Sequence, residues 1–159
     1  MKKSSLSGFM LALALGAGAL ALSSTQAVFA ASDSPAILST GLIVPEMDAA
    51  LGRELFATKG CAVCHSVNGI GGEDAPPLDA EYMDAMMNPF EFATRMWRAA
   101  DAMRAMQRSE WGDVIDLTGE ELAAITAFVH DPQEQAKYTK DDWSEKVADL
   151  IAEAQAGGG

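Results

Sequence analysis

The stretch 55–69, "LFATKGCAVCHSVNG", holds both cysteines of the 159-residue chain, Cys61 and Cys64, followed at once by His65, one of only two histidines. A helical pattern leads into it and a glycine-rich segment leads out, so its chemistry decides what kind of fold surrounds it. A thioredoxin-like dithiol needs its cysteines at the start of a helix that follows a strand. Here the pair follows a helical pattern instead. A structural zinc site needs four ligands, usually supplied as two pairs, whereas the chain offers Cys61, Cys64, His65 and a remote His130. A disulfide across Cys61 and Cys64 closes a tiny loop and stabilises little.

The reading that uses all three residues is covalent haem attachment, in which two thiols become thioethers and the adjacent imidazole turns onto the iron. The C-x-x-C spacing sets both sulfurs on one side of a single turn, and the next residue is directed at the metal between them.

The compartment agrees with this chemistry. Residues 1–30 open with "MKK", continue as the apolar run "GFMLALALGAGALAL" and end in "SSTQAVFA", which predicts a signal peptide cleaved after Ala30, with Ala27 as the second choice. The run is short for a membrane span, no later segment is apolar enough for one, and no cysteine adjoins the cleavage point to take a lipid. The expected location is the periplasm. Cleavage leaves one domain's worth of chain and removes Lys2 and Lys3 but no acid, so the net charge of −12 becomes about −14. Such acidity repels nucleic acid and anionic membrane surfaces and steers toward a partner with a basic docking face. It also serves solubility.

Organisation along the chain predicts an all-α domain. Residues 31–44 read as an extended lead-in. A helix is expected from Pro45, with Met47, Leu51 and Leu55 at intervals of four beside Phe56, and Lys59-Gly60 ends it. "VNGIGGEDAPPLD" (67–79) reads as a loop without regular structure. A short helical piece is expected over 79–87, then a longer helix over "FEFATRMWRAADAMRAMQRS" (90–109), opened by Asn88-Pro89. Thr118 and Glu121 have capping-box spacing ahead of Leu122, Ile125, Phe128 and Val129, and this helix ends near Asp131-Pro132. A linker over "PQEQAKYTK" leads to a C-terminal amphipathic helix whose apolar face holds Trp143, Val147, Leu150, Ile151 and Ala154. That face is expected to bury on its own domain, with a partner subunit as the alternative. The final 157–159 are expected as a disordered tail.

The chain resembles the class I c-type cytochromes over about residues 46–131. The resemblance rests on "GRELFATKGCAVCH", on "APPL" (75–78), which is similar to the family's Gly-Pro-x-Leu with Ala75 for the glycine, and on "LTGEELAAITAFV" (117–129). It implies a cytochrome c-like fold in which N- and C-terminal helices cross beside one covalent haem c, with Gly52 and Phe56 meeting Leu122, Ile125 and Phe128. It further implies Cys61 and Cys64 as the thioether residues, His65 as proximal iron ligand and the backbone carbonyl of Pro76 as acceptor for the ligand's other ring N–H. A class II bundle, with its motif near the C-terminus, does not suit a chain that continues so far past His65.

For the sixth ligand the resemblance implies methionine, a soft thioether that raises the reduction potential. Met83, Met86, Met87, Met96, Met103 and Met106 all lie downstream, and most are expected as packing residues. "MWRAADAMRAM" (96–106) is similar to a subgroup of small bacterial cytochromes with a Met-Trp-Asn-His-x-Pro-x-Met-x-x-Met segment, although Arg98, Ala99 and Asp101 replace its Asn, His and Pro. Met106, twelve residues before Thr118, is the first choice and Met103 the alternative. His130 is a bis-histidine candidate, better placed to cap the last carbonyls of its helix. Arg95, Arg98, Arg104 and Arg108 include a candidate partner for a haem propionate. Phe90, Phe92, Trp97 and Trp111 are expected as pocket or core packing.

The implied function is one-electron carriage between redox proteins, without a catalysed reaction of its own. Two alternatives stand beside it: a cytochrome c subunit of a larger periplasmic oxidoreductase, docked through the Trp143 helix, and a haem sensor with an open or weak sixth position.

Overall fold

The computed structural model describes residues 36–157, so the expected signal peptide and cleavage point, the first part of the lead-in (31–35) and residues 158–159 lie outside the described residues. The lead-in is not merely extended. Strand β1 (Ala36–Ser39) pairs antiparallel with β2 (Leu42–Val44), Ile37 opposite Ile43, around a Thr40-Gly41 turn in which Gly41 has φ 84°.

Helix α1 runs Ala49–Thr58 and not from Pro45, because Asp48 stops the chain in extended geometry and accepts a hydrogen bond from the Leu51 amide at 3.0 Å. The face it buries carries Gly52, Phe56 and Ala57, one step round from the Met47–Leu51–Leu55 row, and Leu51 is exposed. That face crosses α5 (Gly119–His130), the helix predicted from its capping box. Both halves of the box form: Glu121 N–H donates to Thr118 Oγ1 at 3.2 Å and Thr118 N–H to Glu121 Oε2 at 2.9 Å. Where the helices cross, a β-carbon on Gly52 would stand 2.0 Å from the Ala124 carbonyl oxygen and 2.8 Å from Phe128 Cβ. Only glycine fits there, and its cost in helix propensity is offset by the close approach.

Between these helices the chain makes the single turn α2 (Cys61–Cys64), a minimal hairpin of β3 (Ser66–Val67) and β4 (Ile70–Gly71), and a 3₁₀ turn at Ala80–Tyr82. The segment expected to be irregular thus contains a paired hairpin. Asn68 (φ 52°) and Gly69 (φ 73°) form its two-residue turn, both in the left-handed region such a connection demands. The helical piece expected over 79–87 shrinks to the 3₁₀ turn.

The long helix of 90–109 is also divided. Helix α3 (Pro89–Arg98), capped by Asn88, gives way at Ala99 (φ −95°, ψ 2°) to α4 (Ala100–Met106), and α4 runs into a π-helical turn, Gln107–Trp111. Gly112 closes that turn with φ 95° and donates its N–H to the Gln107 carbonyl at 3.0 Å.

The C-terminal segment is built into the same core. The expected linker contains α6 (Pro132–Gln135), capped by Asp131, and a 3₁₀ turn at Lys140–Asp142; α7 (Glu145–Gly157) follows and takes in Gly157 from the expected tail. Tyr138 completes a ring cluster with Phe56 and Phe128, centroids 5.5–5.8 Å apart. Val147 and Ile151 are buried with it, and Trp143 packs against the same cluster while its Nε1–H donates to Tyr138 Oη at 2.7 Å. The apolar face of the last helix is covered by its own domain; Ala154, at its far end, is exposed.

Two polar ties reinforce this union. Arg53 of α1 pairs with Glu134 at 2.9 Å and with Asp142. Buried Gln135 takes the Ala80 N–H on Oε1 at 2.8 Å and donates to the Leu78 carbonyl at 2.9 Å, while its own carbonyl receives Asn68 Nδ2 at 3.1 Å. Asp79 Oδ1 holds the Asn68 N–H at 2.9 Å. The loop carrying the "APPL" segment is therefore pinned by a residue more than fifty positions downstream.

Candidate functional site

Helix α1 ends at Lys59, and Gly60, with φ 95°, turns the chain so that Cys61 begins α2. A side chain at Gly60 would also strike the Trp111 ring, 2.8 Å from an added β-carbon. His65 N–H donates to the Cys61 carbonyl at 3.0 Å and closes the turn, which brings Cys61, Cys64 and His65 to one wall. No disulfide joins Cys61 to Cys64.

The opposite edge of the loop returns to the same turn. Ala75 N–H donates to the Cys64 carbonyl at 2.9 Å and Leu78 N–H to the Ser66 carbonyl at 2.8 Å. These bonds set the Pro76 carbonyl 2.7 Å from His65 Nδ1. A carbonyl only accepts, so Nδ1 carries the proton and the neutral ring leaves its lone pair on Nε2.

Burial pushes the Cys61 thiol up to about 11. Burial raises the Cys64 thiol too, with Asp74 and Glu110 adding to the effect. Neither thiol resembles the low-pKa nucleophile of a redox dithiol. Burial likewise lowers the His65 pKa against the opposing pull of the Pro76 carbonyl, which favours the neutral ring.

Cys61, Cys64, His65 and Pro76 face a cavity of about 870 Å³, within the roughly 300–1,000 Å³ range of cofactor pockets. Phe56 of α1 and Leu122 and Ile125 of α5 reach it from the helix crossing. Met96 of α3, Met103 and Met106 of α4, and Ile115 and Leu117 of the segment before α5 also line it. Both methionines singled out from the sequence are therefore brought to the chamber that holds His65. A large apolar space with two cysteines, a neutral imidazole and four thioethers, Met83, Met96, Met103 and Met106, on its walls fits a haem bonded through its vinyl groups.

His130 is not part of this chamber. Its Nδ1 donates to the Thr126 carbonyl at 2.7 Å, as a histidine in a helix's last turn can, and it lines a separate cavity. Among the four arginines, Arg95 pairs with Asp84 and Glu91, and Arg98 with Glu91. Arg104 lines the chamber and makes no ion pair among the described residues, whereas Arg108 bonds back to the Arg104 carbonyl and does not line it. Phe92 is buried in the chamber wall, while Trp97, 81% exposed, stands at its rim and Phe90 lies outside it. The sequence reading missed Leu78, Ile115 and Leu117; the apolar alternation in "VIDL" (114–117) is the signal that marks the last two.

The model of the cytochrome c family matches residues 49–132, from the start of α1 to the start of α6. No curated protein and no solved structure matches the chain. The family match covers more than half of the chain and the whole of the chamber described above: the chain belongs to the cytochrome c family, carries covalently bound haem c and is an electron-transfer protein.

Proposed function

We propose that the protein is an exported, periplasmic one-electron carrier whose haem is held by thioether bonds from Cys61 and Cys64, with His65 and Met106 as axial ligands and Met103 as the alternative to Met106. The observation that carries this reading is the convergence of these five side chains on one chamber, with His65 Nδ1 fixed by Pro76 at 2.7 Å. When bound, the haem supplies an iron that cycles between ferric and ferrous states.

The chain's own residues do the rest. The Pro76 carbonyl fixes the His65 tautomer and orientation and makes the imidazole a stronger ligand. A thioether ligand from Met106 or Met103 would favour the ferrous state. Phe56, Leu122 and Ile125 exclude water from the inner wall, and Arg104 is placed to meet a propionate. An acidic surface, of net charge about −14 once Lys2 and Lys3 are removed, steers a partner with a basic docking face, so the encounter weakens with salt.

The alternative of an oxidoreductase subunit docked through α7 loses its surface, since Val147 and Ile151 are buried in the chain's own core. A complex would need another face, such as the exposed Tyr82 and Trp97 at the rim. The sensor alternative has four thioethers in the chamber, Met83, Met96, Met103 and Met106, to contend with.

Absorption spectroscopy of the exported protein and of Met106→Ala and Met103→Ala tests the reading. Loss of the long-wavelength ferric band of Fe–S(Met) in Met106→Ala alone is the expected result. Its loss in Met103→Ala alone transfers the role to Met103, and rapid carbon monoxide binding by the unmodified ferrous protein overturns the carrier reading in favour of a sensor.

A further inference from the structure

A second cavity, of about 520 Å³, reaches α5 at Thr126, Ala127 and His130 and is lined by four methionines, Met47, Met83, Met86 and Met87. Only Met83 also touches the haem chamber. His130 Nε2 stands 3.2 Å from Met87 Sδ. Because Nδ1 gives its proton to the Thr126 carbonyl at 2.7 Å, the neutral ring turns an unprotonated Nε2 toward the lone pairs of a thioether sulfur. Two acceptors face each other with nothing to donate between them, which is the arrangement a cation resolves. The carbonyl behind Nδ1 is the usual outer partner of a metal-ligating histidine.

We propose that His130 Nε2 and Met87 Sδ form the core of a binding site for a soft monovalent cation, Cu(I), with a further thioether drawn from Met47, Met83 and Met86. Thioether and imidazole ligands select Cu(I) over hard divalent ions. Among the described residues no group of three or more His, Cys, Asp or Glu side chains is arranged to hold a metal, so this site owes nothing to carboxylates or thiolates. Glu81 and Asp84 stand at the cavity wall and favour the approach of a cation, though Asp84 is already paired with Arg95 at 2.7 Å. Unbranched, flexible methionines also let the set close around an ion without disturbing α5.

The test uses the haem-loaded protein. The ferrous form, kept without oxygen, is titrated with Cu(I) held by a chromophoric chelator. One equivalent should transfer with the haem spectrum unchanged, and Met87→Leu, which nearly keeps side-chain volume, and His130→Phe, which keeps a planar ring without a ligating nitrogen, should each weaken uptake by roughly tenfold or more. In the ferric protein, Ag(I) should shift the Met87 methyl resonance at one equivalent, a readout that needs no variant. Failure of Cu(I) to transfer, an affinity in either variant equal to that of the unmodified protein, or Zn(II) bound as tightly as Cu(I) would each overturn the proposal. None of these outcomes bears on haem ligation.

Discussion

Gly52 of α1 lies so close to Ala124 of α5 that a methyl group in its place would stand 2.0 Å from the Ala124 carbonyl oxygen. The obstacle is helical backbone on both sides, so neither neighbour can rotate away. Alanine in a helix interior ordinarily gains about 1 kcal/mol over glycine. Here overpacking dominates, and Gly52→Ala is expected to destabilise the holoprotein by about 3 kcal/mol. A urea midpoint unchanged or raised by the substitution would show that the crossing is looser than described.

The attachment motif and the α5 cap are legible because a C-x-x-C-H run and a capping box each sit within a few residues. The crossing at Gly52 and the Pro76 acceptor, eleven residues after His65, are implied only by the family resemblance. The hairpins were not legible, since Thr40-Gly41 and Asn68-Gly69 carry turn residues flanked by very short strands. The break at Ala99 opposes alanine's own helix preference. Least visible was the tie of Gln135 to residues 68, 78 and 80, which depends on contacts between distant parts of the chain. The segment that supplies Tyr138 to the core looks like a linker because its polar residues outnumber its apolar ones.

That concealed segment makes a prediction. The family match stops at residue 132, yet Tyr138, Val147 and Ile151 are buried against Phe56 and Phe128. Each large buried side chain contributes roughly 1.5–3 kcal/mol, and a domain's whole stability is only about 5–15 kcal/mol. A chain ended after Gln133 should therefore fail to accumulate as a folded, haem-loaded protein. Recovery of that truncated chain with an ordinary cytochrome spectrum would mean that α6 and α7 are dispensable to the fold.

Tyr138 also gives the fold an alkaline limit. Burial holds its phenol up at about 12 against an ordinary 10.0, with the Trp143 hydrogen bond acting in the opposite direction. A raised folded pKa means stability is fully present below about pH 10 and is lost as pH climbs through about 12. Tyr138→Phe should cost about 1–3 kcal/mol at neutral pH by leaving Trp143 Nε1 without its acceptor, but it should decline less between pH 10 and 12. Denaturant midpoints of both proteins across that window check the sign: parallel declines would exclude Tyr138 as the titrating group.

Acid exposes the complementary tie. The hydrogen bond from Lys137 lowers the Glu134 pKa, burial opposes it, and Arg53 adds to the lowering. A depressed folded pKa means the contribution is present above the ordinary carboxylate value of 4.5 and is lost as pH falls through the lower folded one. Glu134→Gln should thus be less stable than the unmodified protein at pH 7, and the difference should narrow on acidification. A constant difference in urea midpoint from pH 7 to pH 3 would refute the assignment.

Lys146 of α7 holds the turn that follows Met106. Its ammonium sits 3.5 Å from the Trp111 ring centroid and donates to the Trp111 carbonyl at 3.0 Å, while the same ring packs closely on Gly60, next to Cys61. Trp111 ends the π-helical turn that begins one residue after Met106, so the clamp restrains the segment carrying the proposed sixth ligand. An exposed cation–π contact contributes about 0.5–1 kcal/mol, too little to change global unfolding much but enough to alter local opening. Lys146→Met, which keeps the aliphatic stem, should leave the thermal midpoint nearly unmoved. It should speed displacement of the axial thioether by added imidazole severalfold, because that exchange waits on the turn swinging away. Equal displacement rates in the two proteins would show that Trp111 is held by Gly60 and the core alone.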